Sequence, residues 1–266
     1  MHGKLTVAAF TKFCLIVMAC FILFGGGKKS LAQSRCEFTL AWENYPPFIY
    51  LDEQQHLTGF DVEVAEQAFT LMGCDAKWLE MPWARALVNM ENGHVMVLAS
   101  ANMTSERKAF SHYSIPYRVS RQSLFLREGS HHRCTSLTSC IGNENVIGIQ
   151  RSYLYGAPFD DVIHDNDFRS NFTVTTSMTQ SLKQLHSGRI DGLIGNIPVV
   201  WYLAEQVGVS SVLYQTKIKN TAGSEQHFMF SKKATRALDV VAFNAALKSL
   251  QVNGVLDALK RKYRVE

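Results

Sequence analysis

The sequence predicts an α/β fold built as two similar lobes, on three observations. Strand-like and helix-like segments alternate along the chain, as α/β layers require. Two stretches, NMENGHVMVLAS and QLHSGRIDGLIGN, share one order: helix end, glycine stop, short apolar strand, small polar residue. With 266 residues and 47% hydrophobic content, the chain can bury one large core or two modest ones. The echo also gives each lobe a strand whose carboxyl end delivers polar groups, the edge at which open α/β sheets bind ligands.

The first element is an export signal. Phe13 to Phe24 is an apolar run of about a dozen residues behind a lysine-bearing start, short of the roughly 20 that span a bilayer. Ser30-Leu31-Ala32 has the small-residue spacing of a signal peptidase site, so cleavage is expected after Ala32, with residues 1–32 removed. An uncleaved anchor, or a lipid at the Val17-Met18-Ala19-Cys20 box, is the alternative. The four lysines of this segment, Lys4, Lys12, Lys28 and Lys29, take the balance from 27 basic and 23 acidic residues to 23 of each. A neutral remainder offers no basic field for nucleic acid.

A strand through Phe38-Thr39-Leu40-Ala41-Trp42 follows, then the rigid loop Tyr45-Pro46-Pro47-Phe48. Gly59-Phe60-Asp61 starts a helix that carries Val62, Ala65, Phe69 and Met72 on one face and stops at Gly73. Ala76-Lys77-Trp78-Leu79 is the next strand, ending at Met81. Pro82 suits the first turn of a helix bearing Trp83, Leu87 and Met90, with Gly93 as its stop. The apolar run Val95-Met96-Val97-Leu98 then leads into Ser100, Asn102 and Thr104, and on to Glu106-Arg107-Lys108.

Export places the remaining cysteines, Cys36, Cys74, Cys134 and Cys140, in an oxidising compartment. Cys36 opens the first strand and Cys74 opens the next, so neighbouring parallel strands would join them. Cys134 and Cys140 share one polar loop. The expected pairs are Cys36 with Cys74 and Cys134 with Cys140.

The strings YPPFIYLDEQQHLTGFDVEVAEQAF, MPWARAL, ASANMTSERK and SIPY, followed by VIGIQRSYLYG, SGRIDGLIGN and LKSLQVNGVLDALKRKY, resemble in order the bacterial periplasmic solute-binding proteins of the polar amino-acid type, family 3. The resemblance implies a type II periplasmic-binding-protein fold: lobe 1 from 33–120 plus 226–266, lobe 2 from 121–225, two hinge strands, and a ligand held between. It implies that Arg107 grips a ligand carboxylate, that Ser100 and Asn102 complete the shell, and that Tyr45 stacks on the ligand. A guanidinium fork suits a carboxylate. Trp83 and Trp42 are companion aromatic walls, though core packing explains such residues equally well.

Two departures from the family pattern stand in the second lobe. Where the family has an aspartate for the ligand ammonium this chain has Asn196, and where it has glycine and two threonines this chain has Ser152-Tyr153-Leu154. Arg85 and Arg151 add positive charge near the expected cleft, unless they are simply solvated. These changes bring an organic acid or a modified amino acid in beside an ordinary amino acid as ligand. The expectation is a monomeric periplasmic protein that captures an anionic or zwitterionic small molecule and presents it to an inner-membrane permease of the ABC type.

A lyase of the cyclohexadienyl or prephenate dehydratase kind is the alternative from another class, since it shares this fold; a ligand-sensing partner of a membrane receptor is a third. His112, His164, His186 and His227 are scattered, and His131-His132 lacks metal-ligand spacing. No nucleophile elbow, phosphate loop or zinc motif occurs, so no catalysis, no cofactor and no metal are expected.

Overall fold

The computed structural model describes residues 36–129, 134–142, 145–220 and 222–265. The expected export signal and its cleavage point after Ala32 lie outside them, as does His131-His132.

Strand β1 (Cys36–Trp42) buries Phe38, Leu40 and Trp42. At Gly59, φ is 128° and a Cβ would stand 2.2 Å from the Phe48 carbonyl oxygen, so only glycine lets the proline loop lie against the start of helix α1 (Phe60–Leu71). The buried surface of α1 exceeds the predicted stripe, taking in Phe60, Asp61, Val64 and Ala68 as well, because two C-terminal helices also pack on it. Strand β2 (Cys74–Glu80) follows. Helix α2 (Trp83–Asn92) ends at Gly93 with φ 83°, the left-handed stop that its glycine permits. Pro82 is the N-cap of α2 rather than a residue of its first turn, its ψ of 145° being extended. Strand β3 (Val97–Ala101) then feeds the short helix α3 (Ser105–Phe110), capped by the Thr104 hydroxyl, which accepts from the Arg107 N–H at 3.1 Å.

Strands β4 (Ser111–Tyr113) and β5 (Arg118–Ser120) complete the first part of this lobe. The second sheet uses β6 (Gln122–Arg127), β7 (Ile147–Gln150), β8 (Phe172–Thr175), β9 (Gly192–Asn196) and β10 (Leu213–Lys219), with helix α4 (Met178–His186) before β9 and helix α5 (Ile197–Gln206) after it. Strand β11 (Ser224–Ser231) returns to the first sheet, and helices α6 (Ala237–Val252) and α7 (Val255–Tyr263) close on α1.

The first sheet runs β2-β1-β3-β11-β4, with β5 also on β11, and the second runs β8-β7-β9-β6-β10. The echo in the sequence is an echo in space. Its strands, β3 and β9, each sit between a parallel neighbour and an antiparallel one, β1 and β11 in one sheet, β7 and β6 in the other. Asn220 ties the two crossings between sheets, its Oδ1 accepting from the Gln122 N–H at 2.6 Å and its own N–H donating to the Gln122 carbonyl at 3.2 Å.

Cys36 and Cys74 are register partners on parallel β1 and β2 and form a disulfide. Cys134 and Cys140 form the other. The first lobe's core centres on Phe243 of α6, whose ring lies 5.0 Å from Phe69, 4.9 Å from Phe228 and 5.1 Å from Phe230. One apolar α6 residue thereby joins α1 to β11.

Candidate functional site

The ends of β1 and β3, the start of α2, and the loop after β7 enclose a cleft of about 60 Å³ between the two sheets. At roughly 10–15 Å³ per water, that is space for a few waters or a compact solute. Six of the predicted residues line it: Trp42, Tyr45, Trp83, Ser100, Asn102 and Arg107.

Arg107 is buried, with its guanidinium 5.5 Å from the Trp83 ring centre. Its Nη1 donates to the Asn102 carbonyl at 3.3 Å and its Nη2 crosses the cleft to the Ser152 carbonyl at 3.0 Å. Among the described residues no carboxylate forms an ion pair with it. Burial lowers its pKa from the ordinary arginine value, which marks a cation short of compensation. Asn102 also bridges the lobes, donating to the Leu154 carbonyl at 3.0 Å, while its Oδ1 accepts from Gln226.

Ser100 is committed elsewhere. It stands at φ 56°, its hydroxyl donating to Asp61 and accepting from Arg118 at 2.5 Å. Arg118 and Asp61 form a fully buried ion pair, with Nε to Oδ1 at 3.0 Å, and the guanidinium lies 3.8 Å from the Phe48 ring centre. This charged post under the cleft floor holds β3's strand end in its left-handed turn, and no motif in the sequence announces Arg118.

Aromatic rings make the walls. Tyr153 meets Tyr45 edge-on at 6.4 Å and Trp83 at 6.2 Å. Burial pushes the Tyr45 hydroxyl up to about 12 and the Tyr153 hydroxyl well above its ordinary value, so both stay protonated donors. The Tyr153 hydroxyl donates to Oε1 of Glu43, whose Oε2 accepts from the Trp83 N–H at 2.9 Å. Glu43 thus caps the backbone start of α2 from just past the end of β1, and burial raises its pKa above the usual carboxylate value. Sequence reasoning passed over Glu43, Tyr153, Gln122 and Gln226. The available signal was Glu43's place one residue past the first strand.

Four expected site residues do not line the cleft. Asn196 is buried as the N-cap of α5, accepting from the Val199 N–H and donating to the Ser120 hydroxyl at 2.9 Å. It props a lining residue, Ser120, from behind. Pro198 two residues after it, in the first turn, is the helix-start pattern that explains this. Arg85 and Arg151 are exposed. Ser152 is also exposed, and reaches the site only through its carbonyl on Arg107.

The model of the bacterial extracellular solute-binding proteins, family 3, matches residues 39–266. Among relatives, the L-cystine-binding protein TcyJ of Bacillus subtilis (strain 168) is 23% identical over 265 residues, covering 95% of this chain and 94% of that protein. Among solved structures, an ancestral arginine-binding protein bound to arginine superposes with a TM-score of 0.76 at 21% identity, covering 86% of this chain and 98% of that one. A histidine kinase sensor domain with similarity to periplasmic binding proteins gives 0.75 at 16% identity, covering 86% and 96%. These likenesses show the type II periplasmic-binding-protein fold. With a family match running from the first strand to residue 266, the chain belongs to the bacterial extracellular solute-binding proteins, family 3.

Proposed function

We propose that this protein captures a small carboxylate-bearing solute, an amino acid, an amino-acid derivative or an organic acid, and presents it to an ABC-type permease of the inner membrane. The observation that carries this reading is Arg107: a buried guanidinium lining the cleft, hydrogen-bonded to backbone carbonyls and, among the described residues, in no ion pair. A carboxylate arriving there gains a charge-assisted fork and ends the under-compensation of a buried cation.

Capture works by closure. The solute lands on lobe 1 (33–120 plus 226–266) against Arg107 and the Tyr45 and Trp83 rings, and lobe 2 (121–225) then swings over. The Arg107 to Ser152 and Asn102 to Leu154 hydrogen bonds supply contacts belonging to the closed form alone. A ligand shifts this equilibrium only by its preference for the closed state. The protein acts as an exported monomer, with processing after Ala32; N-terminal sequencing that starts away from Gln33 contradicts the processing.

The protein is a binder and not a lyase in this reading. Glu43, the acid in the cleft, has one oxygen on the Trp83 N–H and the other on the Tyr153 hydroxyl, so both are engaged by structural donors. A second reading, ligand sensing for a membrane receptor, is favoured by the likeness to the histidine kinase sensor domain. The test is thermal unfolding against amino acids, organic acids and prephenate. A ligand at 100 times its Kd stabilises by about 2.7 kcal/mol, a readable midpoint shift, and Arg107→Ala removes most of that shift.

A further inference from the structure

We infer that the protein carries a second binding site, outside the cleft, for an organic anion: a pocket on the flank of the lobe junction whose two cations, Lys219 and Arg264, come one from each lobe. The site is independent of the reading that Arg107 takes a carboxylate.

The pocket has a volume of about 530 Å³, against about 60 Å³ for the cleft. Small-molecule sites run from roughly 300 to 1,000 Å³. Its apolar surface comes from both lobes, with Phe48, Val119 and Val265 on one side and Ile197 and Pro198 on the other. Lys219, Arg264 and Arg121 complete the charged lining, and no carboxylate lines it among the described residues. The Lys219 and Arg264 side chains are exposed and form no hydrogen bond or ion pair among the described residues. Arg121 is already engaged, so the other two carry the site.

Local structure explains why the cations sit there. Helix α7 ends at Arg264 in the left-handed region, φ 53° and ψ 42°, where glycine is the usual residue. That turn buries Val265 in the pocket wall and leaves the arginine exposed at its edge. Lys219 is the last residue of β10, on the crossing back to the first sheet. Helix α5 starts at the pocket, and its N-terminal end adds positive potential. It offers no open amide: the Ile197 N–H donates to the Arg121 carbonyl at 3.1 Å, Pro198 has none, and the Val199 N–H donates to Asn196. The side chains must therefore hold the ligand. Two like charges facing one cavity repel, and an anion between them replaces that repulsion with charge-assisted bonds. The apolar walls reward a ligand that carries a hydrocarbon body as well as the charge. An inorganic ion gains nothing from them.

Isothermal titration of the whole protein with naphthalenesulfonate, its neutral analogue naphthalenemethanol and inorganic sulfate tests this. The expected result is that naphthalenesulfonate binds at least about tenfold more tightly than either of the others. Lys219→Gln and Arg264→Gln each weaken it at least about threefold, and the two together bring it level with naphthalenemethanol. Both positions are exposed, so the variants keep the fold. Arg107→Ala leaves naphthalenesulfonate binding unchanged, which separates this pocket from the cleft. No binding by naphthalenesulfonate overturns the inference, as does equal binding by the neutral analogue or by sulfate. A preference that survives the double variant, or that Arg107→Ala removes, puts the anion elsewhere and overturns it too. An effect from only one of the two single variants defeats the bridging of the lobes.

Discussion

Tyr153 donates its phenol proton to Glu43 across the cleft, tying the loop after β7 to the end of β1. The two residues lie 110 positions apart in the chain and in different lobes, so the bond exists only while the lobes are together. A buried hydrogen bond to a charged group is worth about 1.5–3 kcal/mol. Tyr153→Phe therefore favours the open form by up to that amount, read by small-angle scattering as a larger radius of gyration without ligand. An unchanged radius contradicts the bond's role in closure.

Breaking the post beneath the cleft destabilises the whole protein. Asp61 and Arg118 are fully buried, so Asp61→Ala leaves an uncompensated cation and costs about 3–5 kcal/mol in urea unfolding. Replacing both, with Arg118→Met, costs less than the single change. A double variant less stable than Asp61→Ala defeats this account.

The two disulfides differ in the chain they close. Cys36 and Cys74 are 38 residues apart, and Cys134 and Cys140 only 6. Loop-closure entropy gives about 4 kcal/mol for the first and about 2 kcal/mol for the second. Serine pairs at each site should rank in that order by thermal melting, and the reverse ranking counts against the entropic assignment.

Glu43 gives stability a particular pH dependence. Burial, outweighing the hydrogen bonds from Tyr153 and Trp83, holds its carboxyl above the ordinary 4.5. The folded protein keeps this proton more readily than the unfolded chain does. Its contribution is full below the unfolded value and is lost as pH rises through the raised folded value. Glu43→Gln removes that loss, so its melting temperature gains on the wild type as pH rises from the ordinary carboxylate value through the raised folded one. A constant difference over the range contradicts the shift.

Prephenate incubated with the protein is expected to remain unchanged by absorbance. Its dehydration would restore the lyase reading.

Much of the fold was legible because local chemistry and tertiary structure agree. Gly73 and Gly93 end helices through positive φ, and Cys36 and Cys74 open parallel strands in register. Arg107, Tyr45, Trp42 and Trp83 do converge on one cleft. Asn196 was misread because a strand end and a helix start coincide there, and a short polar side chain at that junction serves the helix first. Asp61 and Arg118 are 57 positions apart and share no motif, so their pairing exists only in three dimensions. Tyr153 stood in the sequence only as part of a departure from the family pattern, whereas its ring and phenol fill and polarise the cleft.

The most direct measurement of the central claim is calorimetric titration of wild type and Arg107→Ala with the tightest carboxylate from the thermal screen, each protein checked by circular dichroism for an intact fold. Removing one partner of a buried charge pair costs about 2 kcal/mol or more, so the variant should bind at least about 30-fold more weakly. Equal affinity in a folded variant would contradict carboxylate capture by Arg107.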